Sequence, residues 1–148
     1  MKKYKIGFEP WGLLLFLLIM LPNLVWFAVP APHDVLREDS VTPVLDGIAS
    51  LCQILLTAAL CLVVRRERNP LRPGPALLAS FGCVLLYFGG WILYYAGIAH
   101  PPVLLLLTLP PCLSFFLFAL DRKNFVAAVP VAVFTVCHLM HCIVNFML

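Results

Sequence analysis

The sequence predicts an all-α integral membrane protein, a bundle of five transmembrane helices with the N-terminus cytoplasmic and the C-terminus outside. Three observations carry this. Of 148 residues, 63% are hydrophobic and 11% charged, against about half and about a quarter in a soluble globular chain; the mean hydropathy is +1.01. The chain divides into five apolar stretches, each reaching the roughly 20 residues that a helix needs to cross about 30 Å of hydrocarbon. Finally, nine of the ten basic residues fall in three short segments: Lys2, Lys3 and Lys5; Arg65, Arg66, Arg68 and Arg72; Arg122 and Lys123. The tenth, Arg37, is outweighed by Asp34, Glu38 and Asp39. Lys/Arg-rich loops stay cytoplasmic. The order basic, acidic, basic, neutral, basic is the alternation that five spans require, whereas four would strand a basic loop on the wrong side.

The spans are expected at 8–29, 43–64, 75–98, 101–120 and 125–148, within a single domain covering 1–148. The first resembles a signal peptide in its basic start. Its apolar run is too long for one, and Pro32 after Val29-Pro30-Ala31 blocks cleavage, so it is expected to remain as a helix. Glu9-Pro10, Thr42-Pro43, Gly74-Pro75 and His100-Pro101 place proline in a first turn, where its missing N–H costs nothing. Asn124 is the expected cap of the fifth helix. Trp11 marks the inner interface; Trp26, Trp91, Tyr94 and Tyr95 mark the outer one. Pro22, Pro110, Pro111 and Pro130 lie inside spans and should bend them. All six cysteines fall in spans and read as small buried hydrophobes.

Polar residues recur at helical spacing. Asp46, Ser50, Gln53 and Thr57 share one face of the second helix. Ser80, Cys83, Tyr87, Trp91 and Tyr94 share one face of the third, and His138, His141, Cys142 and Asn145 one face of the fifth. Asn23 adds a group from the first span and Thr108 one from the fourth. Such faces turn away from lipid. With the basic side inside, the strongest hydrogen-bonding groups fall in the outer half of the bilayer. The expected site is a polar pocket open to the outside and lined by Asn23, Asp46, Gln53, Tyr87, Tyr94, His138, His141 and Asn145. The competing expectation is that these groups only join helices, at about 0.6–2 kcal/mol per contact.

Other chemistries find less support. His138 and His141, three apart on one face beside Cys142, are metal candidates and could be joined by His33 and His100 from the outer loops, but no two-part ligand motif is present. His138 and His141 with Asp46 could couple to protons. No nucleophile, metalloprotease, dinucleotide or Walker motif is present, and no cofactor is implied. The net charge of +3 flanks apolar runs and calls for no nucleic acid. Partners are therefore the lipid bilayer and either a second copy or a larger membrane protein. The first expectation for function is a non-catalytic accessory or assembly subunit of the bacterial cell membrane. The second is a small-molecule binding or transport protein, and the third an intramembrane enzyme.

The stretch Glu9-Pro10-Trp11-Gly12 through Leu21-Pro22-Asn23-Leu24-Val25-Trp26-Phe27, with Asp121-Arg122-Lys123-Asn124 further on, resembles small multi-spanning membrane proteins of Gram-positive bacteria. That resemblance implies a membrane fold and no activity. Five spans in this length are also similar to the tryptophan-rich sensory proteins, but their Trp-Asn-Pro-Pro motif is absent, so the likeness is one of size.

Overall fold

The computed structural model describes residues 3–67 and 70–148; Lys2 and Arg68 of the basic clusters lie outside the described residues. Five helices are long and apolar enough to cross a membrane: α1 (Pro10–Ala28), α2 (Pro43–Leu62), α3 (Pro75–Tyr95), α4 (Pro101–Asp121) and α5 (Phe125–Phe146). Each of the first four begins on proline, and α5 is capped by Asn124, whose side chain accepts from the Ala127 N–H at 3.2 Å.

The ends differ from expectation in one informative place. The second helix stops at Leu62 because Val63–Arg65 forms a strand, β2, paired antiparallel with β1 (Tyr4–Ile6) in the register Tyr4–Arg65, Lys5–Val64 and Ile6–Val63. Two β-branched valines at a helix end favour this extended pairing. The third helix ends at Tyr95, three residues early, where Gly97 takes φ +88 and turns the chain. Smaller shifts trim α1 to Pro10–Ala28 and α5 to Phe146, and extend α4 to Asp121. Despite Pro110 and Pro111, α4 continues as one helix.

α3 packs along α4, α4 along α5, and α5 along α2, while α1 lies more loosely against α2, α3 and α4. The helices therefore form a ring, with α4 its most enclosed member: 61% of its apolar window is buried, against 22–33% in the others. Close approaches are made by small residues. A Cβ on Gly12 would sit 2.5 Å from the Leu60 carbonyl oxygen, and one on Gly90 would sit 2.9 Å from the Leu106 Cβ. Ser80 and Ser114 join α3 to α4 by reciprocal bonds, with their hydroxyl oxygens 2.9 Å apart. Outward faces are apolar: Leu14, Leu17, Leu21 and Leu24 on α1, and Val126, Val129, Val133, Val136 and Met140 on α5, are all exposed.

The basic segments converge on one end of the bundle. β1 against β2 joins the first to the second, and the Arg66 N–H reaches the Lys3 carbonyl. The third is tied in because the Tyr4 hydroxyl bonds to the Lys123 carbonyl at 3.2 Å and Arg122 pairs with the buried Glu9 at 3.0 Å. Asn124 adds bonds from its amide to the Ala59 and Val63 carbonyls, both at 2.9 Å. The acidic loop after α1 lies at the opposite end.

Candidate functional site

Six of the eight expected pocket residues line one cavity of about 350 Å³. Asn23 comes from α1, Asp46 and Gln53 from α2, Tyr87 from α3, and His138 and His141 from α5. α4 contributes Leu107, Pro111 and Phe115, so all five helices share the wall. The volume is within the range of about 300–1,000 Å³ common for small-molecule sites. Positions 46–53 are the first half of α2 and 138–141 the last half of α5, so the cavity occupies the half of the bundle nearer the acidic loop. It reaches the surface there, since the Asp46 and His141 side chains are 33% and 22% exposed.

Asp46 sits in the first turn of α2, where a carboxylate faces the positive end of the helix dipole. Its Oδ1 lies 2.5 Å from His141 Nδ1. A carboxylate only accepts, so Nδ1 carries the hydrogen and donates to it. Thr42 Oγ1 stands 3.0 Å from the same Nδ1. Asn23 donates through its amide to the Tyr87 hydroxyl at 2.7 Å and the Ile19 carbonyl at 3.1 Å. Among the described residues, the Gln53 side chain makes only a 3.8 Å contact with the Met20 sulfur. His138 stacks on Phe134, with centroids 5.1 Å apart, and parallel to His141 at 6.4 Å. Pro110 and Pro111 have no N–H to return to the Leu106 and Leu107 carbonyls, and Leu107 with Pro111 forms part of the wall.

The other two expected residues do not line the cavity. Asn145 braces it from behind. Its amide donates to Thr42 Oγ1 and the His141 carbonyl, each at 2.9 Å, and its oxygen accepts from the Val41 N–H at 2.8 Å. Tyr94 instead donates to Asp34 at 3.0 Å and accepts from the Leu36 N–H at 3.2 Å. From the polar stripes, Ser50 does line the cavity, whereas Ser80 is spent on Ser114 and Thr57 on the Gln53 carbonyl. Among the described residues, no three His, Cys, Asp or Glu side chains group as metal ligands.

Asp34 is a hub that the sequence shows only as one of three acidic loop residues. It accepts from Trp26 Nε1 at 2.8 Å, Tyr94 at 3.0 Å, the Ala31 N–H at 3.2 Å and Arg37 Nε at 2.7 Å. Arg37 also bonds the Trp26 carbonyl and lies 4.7 Å over the Trp26 ring. Burial pushes the Asp34 carboxyl up, but the bonds from Trp26, Arg37, Tyr94 and Ala31 together outweigh it and hold it below its ordinary 3.8. A lowered value stabilises the folded loop above pH 3.8, and that contribution is lost as pH falls through the folded value. Thermal unfolding measured from about pH 6 to pH 3 should therefore lose stability more steeply in the wild type than in Asp34→Asn. Parallel curves would show that the hub does not control the loop.

No family model matches the chain, and no curated protein or solved structure is detectably similar to it. The resemblance of its opening stretch is therefore not extended to a family, and function rests on the cavity.

Proposed function

We propose that the chain is a multi-pass protein of a bacterial cell membrane that binds a small polar molecule in the five-helix cavity. In this reading the converged basic end lies in the cytoplasm and the acidic loop outside, so that the cavity is entered from the outer side. The supporting observation is the space itself. Polar stripes that only join helices close on one another, as Ser80 and Ser114 do. Gln53, His138 and the bonded pair Asn23 and Tyr87 instead border about 350 Å³ of space. Intramembrane polar groups around such a volume mark a site more readily than a packing seam. This ranks binding above the accessory-subunit reading.

A cavity-filling change tests the assignment. Ser50→Phe projects a ring into the space from α2. A small-molecule library screened by thermal shift on the purified full chain should contain compounds that raise the wild-type midpoint. At about 100 times its dissociation constant a ligand adds about 2.7 kcal/mol. Ser50→Phe should fold and lose the shift. If no compound shifts the wild type and Ser50→Phe is the more stable protein, the stripes serve packing.

A further inference from the structure

We propose that the ligand is an organic cation: a protonated amine carried on a small apolar or aromatic body. This rests on the binding reading and names the substrate class of the same site. The charges of the wall have one sign. Among the described residues, Asp46 is the only carboxylate in it, and no Lys or Arg lines it. Among the described residues the cations are held elsewhere, in the basic end or, for Arg37, on Asp34. Asp46 Oδ1 is occupied by His141 Nδ1, while Oδ2 has no bond to any described residue.

The neutral groups offer acceptors as well as donors. Asn23 spends its amide hydrogens on Tyr87 and Ile19, which fixes the amide orientation and leaves its oxygen as an acceptor. Gln53 Oε1 likewise has no bond to a described residue, its Nε2 reaches only the Met20 sulfur, and Gln53 stands about two helical turns along α2 from Asp46. The donors left to a ligand are neutral ones, the Tyr87 and Ser50 hydroxyls, the Gln53 amide and a ring N–H of His138, whereas the Asp46 carboxylate only accepts. A ligand that reaches Asp46 must donate to it, and an ammonium group, charged and equipped only with donors, is the strongest match for that carboxylate. Phe27, Phe134 and Tyr87 add ring faces that attract a cation and cover an apolar body. An anion would meet the Asp46 carboxylate with no Lys or Arg among the described wall residues to offset it, which is the repulsive half of the selectivity.

Two probes of equal size separate charge from shape: phenethylamine, a cation at neutral pH, and 2-phenylethanol, its neutral counterpart. Binding is measured by calorimetry on the purified full chain at pH 7. The amine should bind at least about tenfold tighter than the alcohol. Asp46→Asn, which keeps an oxygen for His141, should erase that preference and leave the alcohol unchanged. Should Asp46→Asn not fold, Gln53→Leu serves instead and should weaken the amine by about threefold to tenfold. If the alcohol binds the wild type as tightly as the amine, the cation assignment falls and the pocket stands. If neither probe binds at millimolar concentration, both fall.

Discussion

Arg122→Ala is expected to destabilise the protein by about 3–5 kcal/mol, the largest loss from any single surface-end substitution. The Glu9 side chain is 8% exposed and that of Arg122 13%, with 3.0 Å between Oε2 and Nη2. Removing the guanidinium leaves a carboxylate buried at the point where α1 begins and the α4–α5 turn crosses β2. An uncompensated buried charge is worse than no charge, so a neutral pair should recover much of the loss. Glu9→Gln with Arg122→Met is expected to be closer to the wild type than Arg122→Ala alone. Unfolding of the three proteins in the same mild detergent checks this. If Arg122→Ala falls within about 1 kcal/mol of the wild type, the pair is solvated and contributes as little as an exposed one.

The same end of the molecule shows where sequence reading was strong and where it stopped. Charge spacing separated basic from acidic segments and so located five helices, because a charge in hydrocarbon is costly wherever it sits. It could not show that the basic segments meet. That depends on β1 pairing with β2 and on Tyr4 reaching Lys123, contacts between residues 57 to 119 positions apart whose partners carry no local mark. Val63 and Val64 were apolar enough to pass as helix, and only the pairing shows them as strand.

The cavity was legible in part for the same reason. Helical spacing placed Asp46 with Gln53 and His138 with His141, because a face is a local property of one helix. Which faces confront space and which confront a partner is a property of packing. Asn145 and Tyr94 lie at the right spacing and near the right depth. One turned to the Val41 N–H and the Thr42 hydroxyl and the other to Asp34. Asp34 itself went unsingled because loop carboxylates are ordinarily solvated, and its four donors come from α1, α3 and the loop. Glu9 looked like part of a helix start, and its burial against Arg122 needed the fold.

The central claim, a cavity reached by water from the side opposite the basic end, is tested most directly by thiol labelling at Gln53. Gln53→Cys lies in the cavity wall; Leu56→Cys, three residues further along α2, replaces a side chain that is 0% exposed. Native cysteines supply the background, measured on the wild type; all but Cys83 are buried. A small, impermeant methanethiosulfonate added outside sealed cells should modify Gln53→Cys at least about a hundredfold faster than Leu56→Cys, because reaction needs an accessible thiolate. The same reagent on inside-out vesicles should modify neither. Equal inertness of Gln53→Cys and Leu56→Cys from outside, or faster reaction of Gln53→Cys from the basic side, would contradict the account.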